Sequence, residues 1–186
     1  MAKNYYIILG LTGDASEEDI IKMHKLANTI ALTSQGIPFL HAAVEMKRTK
    51  GGEHNSYNKP DSVNQINWDW KYGNKVLVEY YKELIALRKA HPAFRMQSNE
   101  MVQKNLVFLQ VNDPQLIAYQ LNGQACNDSW KKIIVIFNGA EVEKKVDIPA
   151  GKWKSELNNY QFRSDELTIS TPARIAPYSA MILYQE

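Results

Sequence analysis

The run Ile37-Pro38-Phe39-Leu40-His41-Ala42 follows Gly36 and precedes a long polar stretch. It is short, continuous and bracketed by chain breakers, the pattern of a strand that is apolar on both faces. Such a strand cannot stand alone, because its ladder hydrogen bonds and both of its faces need neighbours. What surrounds it reads as helix. Ser16 is a good N-cap, and Glu17, Glu18 and Asp19 favour the positive end of a helix. Ile20, Met23, Ala27, Ile30 and Ala31 then recur at helical spacing, which predicts a helix from Ser16 to about Thr33. Val76, Leu77, Tyr80, Leu84 and Leu87 predict a second helix, stopped by His91-Pro92. Helix, strand, loop and helix make one sector of an α/β array. The strand's neighbours are therefore expected from sequence outside this chain, the alternative being a makeshift arrangement within it.

The texture changes near residue 95, where the apolar period shortens. Leu106 to Val111, Leu116 to Leu121, Lys132 to Phe137, Val142 to Ile148, Leu167 to Ser170 and Ala180 to Tyr184 are strand candidates. Asn112-Asp113-Pro114, Asn122-Gly123, Asn138-Gly139 and Pro149-Ala150-Gly151 supply turns between them. Short strands at this spacing predict an all-β antiparallel sandwich. Lys131-Lys132 and Lys144-Lys145 flank strand runs, where paired lysines discourage edge-to-edge pairing.

Between the two predicted helices lies Met46 to Ile66, MKRTKGGEHNSYNKPDSVNQI. Its composition offers nothing from which to build a core. A loop of roughly twenty residues in an ordered domain usually binds or gates something. Amide, guanidinium and carboxylate groups beside an aromatic ring suit a neutral polyhydroxyl ligand; the alternative is a solvated connection. Trp68 and Trp70, just beyond, read either as sugar-stacking rings or as core, the latter being the commoner fate of a tryptophan at a helix start. His41 reads as a core histidine and Met46 as filler.

Charge excludes some partners. The 22 basic and 20 acidic side chains leave +2, too balanced for nucleic acid or an anionic membrane surface. Tyr5 to Leu11 is too short to span a bilayer, and the first residues lack the features of a secretory signal, which leaves localisation open. Cys126 is the single cysteine, so no intrachain disulfide forms. The four histidines show no metal-binding spacing.

The words MHKLANTIALTSQGIPFLHA, EMKRTKGGEHNSYNKPDSVNQINWDW and YYKELIALRKAHPAFRM resemble type I pullulanase, a debranching glycoside hydrolase of the α-amylase superfamily. The tail is similar more loosely, through IIVIFN and IAPYSAMILY. The resemblance implies a mixed fold: residues 1–96 as the incomplete end of a (β/α)8 barrel, with Gly36 to Ala42 as its eighth strand, then residues 97–186 as the carboxy-terminal antiparallel β-sandwich. It implies cleavage of α-1,6-glucosidic branch linkages in pullulan and starch-type α-glucans, with retention of configuration. That chemistry needs two carboxyl groups, one as nucleophile and one as acid then base. The family's catalytic acids correspond to sequence upstream of Met1, and its His-Asp-Asn signature is absent from this chain. No catalytic residue is therefore assigned here, and the isolated chain is expected to be inactive. A makeshift pair of Glu45 and Asp61 would lack the rigid shell that catalysis needs.

On the family loop, the substrate-binding candidates are Glu45, Arg48, Asn55, Tyr57, Asn58, Asp61 and Asn64. Glu45 departs from the family pattern, since Ala43-Val44-Glu45 stands where Gly-Glu-Glu is usual; its other reading is a structural acid paired with Arg48 or capping loop amides. The asparagines read equally as holders of the loop's own turns. Calcium is common in the family, but no ligand set here supports it and no cofactor is assigned. The implied partners are an α-glucan and the amino-terminal part of the barrel. An orphaned barrel edge would also expose apolar surface and self-associate. The competing reading is a non-catalytic α-glucan-binding or scaffold module.

Overall fold

The computed structural model describes residues 16–163 and 168–186; the run Tyr5 to Leu11 and the start of the strand candidate at Leu167 lie outside them. Five helical segments come first: α1 (Glu17–Thr33), α2 (Asp61–Asn64), α3 (Trp70–Gly73), α4 (Lys75–Ala90) and α5 (Asn99–Asn105). Nine strands follow: β1 (Leu106–Phe108), β2 (Leu116–Asn122), β3 (Lys132–Asn138), β4 (Lys144–Val146), β5 (Trp153–Asn158), β6 (Gln161–Phe162), β7 (Thr168–Ile169), β8 (Ala173–Ile175) and β9 (Ser179–Gln185).

Helix α1 starts where its cap dictates: the Ser16 hydroxyl accepts the Asp19 amide at 3.1 Å. It carries no basic residue in its last turn. Arg88 of α4 fills that role from outside, donating to the carbonyls of Leu32 (2.8 Å), Ser34 (2.8 Å) and Gly36 (2.6 Å). Cations at a helix C-terminus satisfy its orphan carbonyls and complement its dipole. Between the two helices the Thr29 and Tyr80 hydroxyls share a 2.7 Å hydrogen bond, and the Tyr81 hydroxyl meets His24 Nε2 at 3.0 Å.

The main sheet runs β1-β2-β3-β9-β5-β6, with β7 also on β5, and every pairing is antiparallel. Register fixes which side chains meet which layer. Ile133, Val135 and Phe137 stand opposite Tyr184, Ile182 and Ala180, facing Leu26, Tyr80 and Leu84 of the helices. Ile134 and Ile136 stand opposite Leu183 and Met181, facing the ribbon β4–β8 and Trp153. The central strand is thus covered on both sides, and its apolar run needs no alternation. Asn138 ends it: its side chain donates to Val142 and Ala176 carbonyls, both at 2.9 Å, and accepts the Ala140 amide at 2.9 Å. A buried amide so fully bonded fixes the turn chemistry expected at Asn138-Gly139. The expected sandwich is therefore lopsided, a seven-stranded sheet against a two-stranded one, with helices on the first sheet's other face.

Several expectations are corrected. Residues 37–42 form no strand; Ile37 is 98% and Phe39 93% exposed, while Leu40 packs on the main core. An apolar run becomes a strand only when another backbone pairs with it, and among the described residues none does. His41 lies exposed on that segment and is not a core residue. The lysine pairs are not edge guards of one kind: Lys132 lies in the interior strand β3, and Lys144 binds Asp113 at 2.6 Å. Strand β5 was hidden by its alternating composition, in which only Trp153, Ser155 and Leu157 face inward.

Candidate functional site

The polar loop begins at a tight 3-10 turn, Val44–Met46, flanked by two residues in the left-handed region, Ala43 (φ 68°) and Lys47 (φ 57°). A side chain at such a φ costs about 1 kcal/mol or more, which is why glycine suits the position that Ala43 holds. Contrary to the compositional expectation, the loop does have a small core. Met46 is buried with Ala43 and Val78, and Ile66 and Trp70 pack against them. Asn74, which precedes α4, donates its side-chain amide to the Met46 carbonyl at 3.1 Å and to Trp70 at 2.9 Å. Sequence reading missed Asn74; an asparagine directly before a helical run was the available signal. Lys47 forms an ion pair with Glu17, tying the loop to the start of α1.

Asn64 closes the loop on itself. Its side chain donates to the carbonyls of Ser56 (2.7 Å) and Lys59 (2.8 Å), and its oxygen accepts from Lys50 Nζ at 3.1 Å. Arg48 reaches the same knot, donating to the Asn64 carbonyl and, at 3.4 Å, to Ala42. Arg48 and Asn64 therefore spend their polar atoms on the backbone, in the manner of residues that hold turns. Among the described residues Arg48 makes no ion pair with Glu45.

The other candidates face outward. Asn55, Tyr57, Asn58 and Asp61 are exposed, Tyr57 by 83%, and Glu45 is half-buried in its turn. Trp68 is 67% exposed, so the core expectation fails for it; Trp70 is the one that packs. The surface thus offers amides, a carboxylate and two aromatic rings on a backbone held from within. It can bind hydroxyl groups and stack on apolar ring faces. Among the described residues no group of three His, Cys, Asp or Glu side chains is placed to hold a metal ion, and no helix is long and apolar enough to cross a membrane.

A second polar cluster joins the helices to the sheet. His91 Nδ1 lies 2.7 Å from an Asp128 oxygen, and the Asp128 carboxylate also accepts the amides of Ala93 (3.1 Å) and Trp130 (3.0 Å). These bonds outweigh burial, which acts the other way, and hold the Asp128 carboxyl below the usual carboxylate range. The His91 ring stacks on Trp130 at 3.5 Å and Trp130 stacks on Tyr184 at 4.1 Å. This cluster is structural: its acceptors are all occupied by backbone or histidine.

Residues 102–160 match the family described as "Pullulanase, all-beta domain". The chain is 39% identical over 164 residues to a pullulanase of Bacillus subtilis, a match that covers 86% of this chain and 22% of that protein. Among solved structures, pullulanase from Bacillus acidopullulyticus superposes with a TM-score of 0.89 at 37% identity, over 97% of this chain and 22% of its own. A pullulanase from Anoxybacillus sp., complexed with maltotriose, superposes with a TM-score of 0.83 at 36% identity, over 92% and 24%. The chain thus spans less than a quarter of each of these three relatives. Sequence, register and topology agree that the chain belongs to the pullulanase family and matches a carboxy-terminal part of its members.

Proposed function

We propose that this chain is the carboxy-terminal part of a retaining glycoside hydrolase that cleaves α-1,6-glucosidic branch linkages in pullulan and starch-type glucans. In this reading residues 1–96 are the last segment of its catalytic (β/α)8 barrel, with Gly36 to Ala42 as the eighth strand, and residues 97–186 are the sandwich beside it. The observation that carries the proposal is the pairing of well-anchored helices α1 and α4 with an apolar segment between them that no strand among the described residues pairs with, Ile37 and Phe39 almost fully in water. That surface calls for a covering backbone, which the preceding barrel segments would supply. The loop then lies at the carboxyl end of the eighth strand, the end where barrel enzymes keep their chemistry. Glu45, Asn55, Tyr57, Asn58 and Asp61 contact glucosyl hydroxyls there, while Arg48 and Asn64 keep the loop in shape. The binding of maltotriose by the Anoxybacillus relative supports a maltooligosaccharide as the ligand class. The catalytic carboxyl pair, about 5 Å apart in a retaining enzyme, comes from the preceding segments, so the chain alone is inactive.

The test is complementation. The chain is co-expressed with the preceding part of the Bacillus subtilis pullulanase, and reducing ends released from pullulan are measured. Turnover by the pair, and none above blank by either part, is the expected result. Turnover by this chain alone, abolished by Glu45→Gln, overturns the proposal.

A further inference from the structure

A cavity of about 240 Å³ opens on the flank of the molecule where α1, the first half of α4 and the β5–β6 hairpin meet. Lys25, Glu79, Tyr80, Glu83, Tyr160 and Phe162 line it. None of the polar-loop residues Met46 to Ile66 lines it.

Three aromatic rings form its wall. Tyr80 packs edge-on to Tyr160 at 5.9 Å and tilted on Phe162 at 5.5 Å. Both tyrosine hydroxyls are turned inward and used, Tyr80 with Thr29 at 2.7 Å and Tyr160 on the Lys22 carbonyl at 2.8 Å. The rings are therefore fixed, and what the wall presents is ring surface. Tyr160 and Phe162 are only half-buried. The Lys25 ammonium stands over this wall, 5.0 Å from the Tyr80 centroid and 5.1 Å from that of Tyr160. Among the described residues it has no hydrogen-bond acceptor and no carboxylate partner, and burial pushes its pKa down. By contrast the two acids are occupied: Glu83 by Arg163 at 3.0 Å and Glu79 by Lys82 at 2.7 Å.

These features select a class of ligand. The wall carries two carboxylates, Glu79 and Glu83, against two cations, Lys25 and Arg163, a balance that favours neither an anion nor a cation. A neutral ring that is apolar on its faces and hydroxylated at its rim meets every group present: the faces stack on Phe162 and Tyr160, and hydroxyl oxygens accept from the free Lys25 N–H groups. The volume lies below the range of about 300–1,000 Å³ that encloses a drug-sized ligand, so an open site of this size holds one or two sugar rings of a longer chain.

From this we infer that the α1–α4–hairpin cavity is a second, non-catalytic α-glucan site, which anchors a branch of the polymer apart from the loop surface. The inference rests on the glucan reading proposed above for the ligand's identity. It is tested by an amide NMR titration of the 186-residue chain with maltohexaose, and in parallel with sodium phosphate. The expected result is saturable shifts at Lys25, Tyr160 and Phe162 with maltohexaose and none with phosphate. Lys25→Met and Phe162→Leu, each checked for an otherwise unchanged spectrum, weaken that response about three- to tenfold, and Tyr57→Ala in the loop leaves it unchanged. Shifts confined to the loop overturn this inference and leave the proposed function standing. So does a response to phosphate alone, or maltohexaose binding indifferent to both cavity variants. Cavity shifts accompanied by a failed complementation on pullulan would instead overturn the catalytic reading and keep the site.

Discussion

Replacing Arg88 by methionine keeps most of the apolar stem and removes three donors. The guanidinium is 6% exposed and bonds three carbonyls at the end of α1 and the start of the extended segment. These carbonyls do not suffer equally. Leu32 is buried, so its oxygen is left without a partner, a loss of about 1–3 kcal/mol. Ser34 and Gly36 are exposed, and water replaces the arginine at a net cost of about 0.5–1.5 kcal/mol each. The sum is about 2–6 kcal/mol, a large share of the roughly 5–15 kcal/mol typical of a folded domain. With a urea slope of about 2 kcal/mol/M, the unfolding midpoint should fall by about 1–3 M at unchanged slope. Arg88→Lys supplies one compact charge for three carbonyls and should recover less than half of the loss. Amide exchange of residues 34–40 should accelerate in the methionine variant, because Arg88 fixes the point where that segment leaves the helix. A loss below about 1 kcal/mol, or a lysine variant equal to wild type, would refute the argument that geometry, rather than charge or packing, makes Arg88 necessary.

Asn64→Ala should open the loop locally: trypsin cleavage after Arg48 and Lys50 should rise several-fold while the global stability changes by no more than about 1 kcal/mol, because the lost bonds lie within the loop. For His24, burial holds the imidazole pKa below its ordinary 6.5; the unfolded chain then takes up the proton first, so stability is full above about pH 6.5 and declines as pH falls from there toward the folded-state value. Urea midpoints at pH 7.5 and 5.5 should differ more for wild type than for His24→Gln, and equal differences would exclude His24 as the source. The exposed Ile37 and Phe39 should drive self-association, so light scattering should report a concentration-dependent mass above 21.3 kDa. The double variant Ile37→Asn, Phe39→Ser should remain at the monomer mass.

What the sequence made legible divides by the range of the interaction that decides it. Helix α1 needed only its cap, its acidic first turn and its period, all local, and it begins within one residue of expectation. Strands β3 and β9 announced themselves through uninterrupted apolar runs, and β2 through one broken only by Gln120. Strand β5 did not: Lys154 and Glu156 interrupt its run, and pairing with β9, β6 and β7 makes it a strand. The site shows the same division. That asparagines would hold turns follows from local chemistry, and Asn64 does so. That Met46 would be buried depends on Val78, more than thirty residues away, which no local pattern reports.

The segment 37–42 is the instructive miss, because its local signal was strong and its predicted state still did not form. Its composition specified what it should touch, and its backbone still required a partner in register. Within this chain the main sheet uses its helix-facing side to cover α1 and α4, and the ribbon covers the other side. Neither sheet pairs with the segment. The helices on either side are nevertheless held at fixed ends, by Ser16 at the start of α1, Arg88 at its finish and Asn74 before α4. Anchors on both sides restrict the path that the segment can take. It therefore pays little further conformational entropy when a partner strand arrives. The exposed ribbon is thus organised for pairing before any pairing takes place. If this is correct, a preceding barrel segment should bind the wild-type chain more tightly than it binds Arg88→Met, although Arg88 itself contacts only the carbonyls of residues 32, 34 and 36 through its guanidinium.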